Sequence, residues 1–390
     1  MNNYKKNLYY NYIYEFFLNL KLTQLLWPTY LILKGFTLVD VGIAEGLFHL
    51  TSLLCELPTG MISDLYGRKI SRFIGRILSI IEVILLLTAT SRWHIYLAFI
   101  ISALSYNMES GTDSAYVYDL MLENKDEKNF PKIQGKREVI LQAGSFIGIF
   151  IGGFFADISY SLTYFISLVI ILISIFFLLK MKEIKNKHYQ KTNIIQGIIY
   201  QYRISYDLFK SNHQIIYIIL AYSLFSASIT TCHYYLTNYW KEMNITMSAI
   251  SFFLSLENIA GIIAGLVAYK IIQYFPKKKI MLILPLFIII GLMGIPFFPI
   301  SIIAMIFIGF VESLLYVSVT TFLNEIISSD TRATLLSCMS MIDSIVMVLY
   351  FPTFGWIGSH FSLKNAFLTL AVISTLVYIV YQRIIRKKFV

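Results

Sequence analysis

Residues 56–76 read ELPTGMISDLYGRKISRFIGR, and the rest of the chain falls into place around them. Gly60 removes side-chain bulk where a helix must pack closely. Asp64 puts an acid at the end of that helix, and Gly67 permits a tight reversal of positive φ. Arg68 and Lys69 follow as fixed cations beside lipid headgroups. A bland basic loop needs the cations alone, without two glycines and an acid at set offsets before them. The stretch therefore reads as a built turn between two membrane-spanning helices.

Composition agrees. Of 390 residues, 57% are apolar and 14% charged, against about 45–50% and 25% in soluble proteins. That apolar content fills ten to twelve spans of about 20 residues, so a water-soluble enzyme is excluded. Twelve apolar segments begin near Tyr9, Val41, Phe73, Ile95, Arg137, Tyr164, His213, Met247, Ile280, Ile300, Ala333 and Asn365. One long connection, 181–212, separates the N-terminal half (1–180) from the C-terminal half (213–390). Within it, TNIIQGIIYQYRISYDLFK (192–210) reads as a helix on the membrane surface or as a plain linker helix. The expected fold is an all-α polytopic membrane protein with 12 transmembrane helices in two pseudo-symmetric six-helix halves.

Charge sets the expected topology. With both termini cytoplasmic, 27 of the 32 Lys and Arg fall on inside segments; Lys34, Arg92, Lys241 and Lys364 fall outside, and Lys21 within the first span. The net charge of +10 is thus topological, and nucleic acid is not an expected partner. A weak repeat supports two halves. Glu109 in NMESGTDSAYVYDLMLE and Glu312 in GFVESLLYVSVTTFLNE stand 203 residues apart, and GGFFADISYSLTYFI matches FGWIGSHFSLKNAFL at a similar offset. Parallel repeats of this kind are a transporter architecture.

On these residues the chain resembles the major facilitator superfamily, whose signature motif the 56–76 stretch is similar to. With ELPTG and SGTDSAYVYDL it looks most like the Gram-positive part of the drug/proton antiporter branch (multidrug efflux). Leu65 departs from the motif, where the family usually carries a basic residue. The resemblance implies alternating access, export by proton antiport, a bacterial cell membrane location and a monomer. It also implies a conformational switch: Asp64 facing the start of the eleventh helix, and Arg68 paired with Asp119. Gly144, Gly148, Gly152 and Gly153 form a smooth stripe on the fifth helix for close packing. They resemble the antiporter motif there, without its usual proline.

Deep charges are functional candidates by default. Glu109 and Asp113, one turn apart on the fourth helix, are expected to share a face and repel, which favours reversible protonation. Glu257, Glu312 and Asp343 are similarly deep, and Lys21 is expected to be the one deep cation, neutralising an acid. Such an acid-rich core suits protons and small, cationic or amphipathic substrates. Trp27, Tyr106, Tyr116, Tyr235 and Tyr316 are candidate lining for a pocket that accepts flat cations, although the aromatic excess also fits an AT-rich genome. There is no metal-ligand spacing, nucleophile motif or P-loop. No cofactor is expected, and the proton gradient is the expected energy source. The competing readings are proton-coupled uptake of a nutrient and, in another class, a non-transporting membrane sensor.

Overall fold

The computed structural model describes residues 3–184, 213–326 and 332–388. The surface-helix expectation for 192–210 lies outside them. The described residues form fourteen α-helices and a short 3-10 turn (Glu127–Asn129), with no strand among them. In chain order the helices are α1 (Asn3–Asn19), α2 (Trp27–Leu33), α3 (Leu38–Tyr66), α4 (Arg68–Leu87), α5 (Arg92–Glu109), α6 (Thr112–Glu123) and α7 (Phe130–Ile158). Next come α8 (Tyr160–Lys180), α9 (His213–Glu242), α10 (Met247–Tyr274), α11 (Lys277–Gly294), α12 (Ile300–Ile326), α13 (Arg332–His360) and α14 (Leu363–Lys388). Each of the twelve apolar segments is one helix or a broken pair. The breaks divide the first segment (α1, α2) and the fourth (α5, α6). Pro28 sits in the first turn of α2, where its missing N–H costs nothing. Gly111 adopts φ of 71°, which ends the helical run before α6.

Eight of the helices are long and apolar enough to cross a membrane: α3, α7, α8, α9, α10, α12, α13 and α14. Among the other segments, α4 carries charge inward. On α4, Ser71, Arg72, Gly75, Arg76 and Ser79 are buried while Ile70, Ile77, Ile81 and Ile84 are exposed. This is the reverse of a soluble amphipathic helix, because the surrounding medium is lipid rather than water. The small residues let α4 approach α5 closely: Ser79 and Ser105 hydroxyls meet at 2.7 Å, and Ser105 donates to the Gly75 carbonyl at 2.8 Å.

The chain divides into two compact units. Unit 1 comprises Met1–Phe36 and Leu47–Ile198; unit 2 comprises Thr37–Gly46 and Ile199–Val390. In unit 1 the glycine stripe of α7 presses on the main chain where α1 ends. A methyl on Gly144 would stand 2.7 Å from the Phe16 carbonyl oxygen, and one on Gly148 2.7 Å from the Lys21 nitrogen. One on Gly152 would strike the Leu22 carbonyl. Gly60 behaves otherwise: nothing lies within 4 Å of the position its Cβ would take, so close packing does not explain this glycine. In unit 2 a similar seam joins the start of α3 to α13, where Gly42 meets the Phe351 carbonyl and Gly355 the Leu38 carbonyl.

Candidate functional site

The 56–76 stretch forms the α3–α4 turn, and Gly67 takes φ of 115°. Arg68 lies 2.6 Å from Asp64 and 3.3 Å from Asp119 on α6, and it donates to the Ser63 hydroxyl at 3.1 Å. No motif pointed to Glu183, an acid in a run of lysines just past α8. Its carboxylate accepts the Lys69 and Ile70 amides at 3.0 and 3.2 Å, capping the electropositive start of α4. Lys69 reciprocates, its ammonium donating to the Leu179 and Met181 carbonyls at 2.9 and 2.7 Å. These are orphan acceptors at the end of α8. The Tyr116 hydroxyl holds the Lys182 carbonyl at 3.0 Å, and Asn7 accepts the Lys182 amide at 2.7 Å. Residues 181–184 are thereby fastened to α1, α4 and α6. Nearby, the Tyr4 hydroxyl and then the Asn129 amide hold the exposed Asp126 carboxyl below its ordinary range.

Gly67 is constrained twice. Its φ disfavours any side chain, and a Cβ there would lie 2.5 Å from the Glu183 Oε1. We expect Gly67→Ala to cost about 1–2 kcal/mol for the backbone alone, with a steric penalty added while Glu183 is present. In a Glu183→Ala background the steric part should vanish, leaving the double variant more stable than the two single losses sum to. Thermal unfolding of all four proteins in detergent measures this. Strict additivity would refute the contact.

Deeper in unit 1 lies a buried network of charges. Arg137 on α7 reaches the Glu15 carboxylate at 2.6 and 2.9 Å, Asp113 at 2.8 Å and the Gln134 amide oxygen at 2.6 Å. Arg72 pairs with Glu109 at 3.1 Å, donates to Asn11 at 2.7 Å and stacks over the Tyr14 ring at 4.3 Å. Arg76 stands 3.3 Å from Glu109, and the Tyr14 hydroxyl donates to that same carboxylate. Glu15, Arg72 and Arg137 have no exposed side-chain surface.

Three expectations are corrected here. Glu109 and Asp113 do not share one helical face, because Gly111 breaks the helix between them and they turn to different arginines. Three of the cations counted as inside-facing, Arg72, Arg76 and Arg137, are buried among helices. Lys21 is not the sole deep cation; it stands in the break after α1, within electrostatic reach of Arg76, Glu82 and Glu109. Three guanidiniums facing three carboxylates form a balanced cluster, and arginine keeps its charge there.

Unit 2 is different. His233 Nδ1 on α9 lies 2.8 Å from Glu257 Oε2 on α10. Gly309 makes room for it, since a Cβ there would strike the Glu257 side chain. Glu312 on α12 lies within electrostatic reach of Glu257, His233 and Asp343, and the Tyr222 hydroxyl is near enough to Glu312 and Asp343 to feel their charge. Two acids thus face one histidine, and a third, Asp343, stands beside Glu312. His233 escaped the sequence reading, because a lone histidine in an apolar run carries no spacing signal. Among the described residues no cluster has the make-up of a metal site.

The sequence comparisons bear on what this architecture is. The family model described as the Major Facilitator Superfamily matches residues 16–301 and 218–388. The chain belongs to the Major Facilitator Superfamily. It is 21% identical over 363 residues to the uncharacterized MFS-type transporter YxaM of Bacillus subtilis (strain 168), covering 91% of this chain and 90% of that one. Among solved structures it is similar to the nucleoside transporter NupG, with a TM-score of 0.82, 14% identity and full coverage of both chains. A D-xylose-proton symporter is similar at a TM-score of 0.73 and 14% identity, over 97% of this chain and 96% of that one. At such identities the likeness is one of fold, and it establishes the major facilitator fold for this chain.

Within that major facilitator fold, the candidate pocket aromatics have structural partners. Trp27 packs edge-on against Phe99 with ring centres 4.8 Å apart. Tyr116 is buried in the unit 1 core, and the Tyr235 hydroxyl bonds the Leu38 and Phe351 carbonyls. Tyr106 and Tyr316 are about half exposed, with ring centres 5.9 Å from Phe48 and 6.2 Å from Tyr222.

Proposed function

We propose that this chain is a secondary active transporter that couples the movement of a small molecule to protons by alternating access. The observation that carries this reading is the unit 2 cluster, in which Glu257 and Glu312 face a single histidine, His233, and Asp343 lies beside Glu312. Carboxylates crowded in a low dielectric take up a proton readily, and histidine changes charge near neutral pH. The cluster therefore has the chemistry of a coupling centre. Glu109 and Asp113 are balanced by arginines, and we assign them the work of holding unit 1 together. Asp64, Gly67, Arg68, Lys69 and Asp119 serve as the conformational switch, a reading supported by the ion pairs of Arg68.

The direction we propose is export by antiport of a cationic or amphipathic molecule, from a monomer in a bacterial cell membrane with both termini cytoplasmic. Support comes from the ELPTG motif and from the α7 glycine stripe seated on the break in the first segment. Inside-out vesicles with an acidified lumen test it, using a fluorescent lipophilic cation beside a panel of nucleosides and sugars. Accumulation in the lumen that collapses with the gradient is the expected result. Gradient-driven accumulation only in right-side-out vesicles would establish uptake instead, and indifference to the gradient would refute proton coupling.

A further inference from the structure

The acid of ELPTG, Glu56, has no part in the contacts described so far. Ser52, Glu56, Thr59 and Ser63 recur at offsets of four, seven and eleven along α3, so they share one face of that helix. Ser52, Thr59 and Ser63 are buried. The face is pinned at both ends. Ser52 donates to the Asn107 amide oxygen at 2.7 Å, and its carbonyl accepts the Asn107 amide at 2.9 Å. Further along, the Thr112 hydroxyl donates to that of Ser63 at 3.0 Å. Glu56 stands between these pins on α3. Gly111 stands between them on the facing chain, where α5 gives way to α6.

Glu56 is half-buried and lies eight residues before Asp64, about 12 Å along the helix axis. Burial is the one influence on its carboxyl; no charge or hydrogen bond of a described residue reaches it. The polar and charged groups around it are engaged elsewhere. The Thr59 hydroxyl turns back to the Cys55 and Glu56 carbonyls at 2.7 and 3.0 Å. Asp64 and Asp119 have Arg68, Glu109 has Arg72 and Arg76, and Asp113 has Arg137. Gly60, one turn on from Glu56, and Gly111 have nothing within 4 Å of the position a Cβ would take. Water therefore has room beside this carboxyl, which gives Gly60 a role that close packing does not. The other deep acids of unit 1 are neutralised by guanidiniums. A carboxylate without such a partner in a low dielectric is costly, and it is relieved by taking up a proton.

We propose that Glu56 is a proton-binding site of unit 1, separate from the unit 2 cluster: its carboxyl carries a proton at neutral pH and ionises by passing it to water beside Gly60, which leaves as hydronium. Its part in transport rests on the proton-coupled reading above, whereas proton binding itself does not.

The full-length protein in liposomes is treated with dicyclohexylcarbodiimide, a lipophilic reagent that adds to a protonated carboxyl and rearranges to an N-acylurea, which peptide mass spectrometry locates. At pH 7 Glu56 should be labelled roughly tenfold or more above Asp64, an acid of the same helix that is partly exposed and paired with Arg68. Labelling of Glu56 should fall away in alkaline buffer. Equal labelling of the two acids, or an unlabelled Glu56 in inserted protein, would overturn proton binding. The isosteric Glu56→Gln should then slow gradient-driven transport and shift its pH dependence, with downhill exchange retained. An unchanged pH profile in that variant would overturn the transport role. The two readings fail separately. A transporter indifferent to the proton gradient, with Glu56 labelled, refutes coupling alone; a proton-driven one with Glu56 unlabelled refutes this site alone.

Discussion

Arg137→Ala should destabilise the protein by about 3–5 kcal/mol, the cost of stranding buried charge when one partner is removed. Glu15 would keep its carboxylate with no exposed surface, having lost its three contacts with the guanidinium. Asp113 would lose its partner as well. The thermal unfolding midpoint in detergent should drop steeply and the yield of inserted protein should fall. The paired replacement of Arg137 by Met and Glu15 by Leu should recover a large part of the loss, because a buried ion pair exchanged for apolar side chains is often neutral. A single variant that unfolds within about 0.5 kcal/mol of the native protein, as an ordinary surface change does, would show that the network bears no weight.

The second large effect concerns transport. Glu257→Gln should abolish accumulation driven by a proton gradient and leave downhill exchange of substrate intact, because the amide keeps the shape and cannot release a proton. His233→Gln should preserve transport but flatten its pH dependence, since the histidine faces the Glu257 carboxylate at 2.8 Å. Glu109→Gln has a different signature: losing the charge that holds Arg72 and Arg76 should depress coupled transport and exchange together, through folding. Undiminished gradient-driven transport by the E257Q/E312Q double variant would remove the coupling role from unit 2.

The helices and the reversal at Gly67 were legible because they depend on local properties: apolar run length, a positive-φ glycine, and cations beside it. Pairings across the bundle were not. Arg72 and Arg76 lie four residues apart just after a basic turn, so the same charge reads equally well as a headgroup contact. Only the packing of α4 on α5 turns them inward. The Gly111 break was hidden because a Ser-Gly-Thr run is tolerated within a helix. Glu183 caps a helix 114 residues away, a distance over which no motif operates. The Gly60 reading failed for the opposite reason: a glycine in a motif invites a packing explanation, and here the space is open.

The Glu15–Arg137 pair also bears on how the chain enters the membrane. Synthesis delivers Glu15 before both arginines that face it, Arg72 at 3.7 Å and then Arg137, 122 residues on, at 2.6 Å, and a lone charge at mid-helix costs about 2.5–3.5 kcal/mol on insertion. Arg72 and Arg76 of the third segment arrive with the same debt, before Glu109 of the fourth. The early segments therefore cannot partition into lipid one at a time as finished units. They must wait beside the insertion machinery, or in one another's company, until α7 emerges. The full set of ion pairs in unit 1 is therefore complete only once its fifth apolar segment, which carries Arg137, has been made.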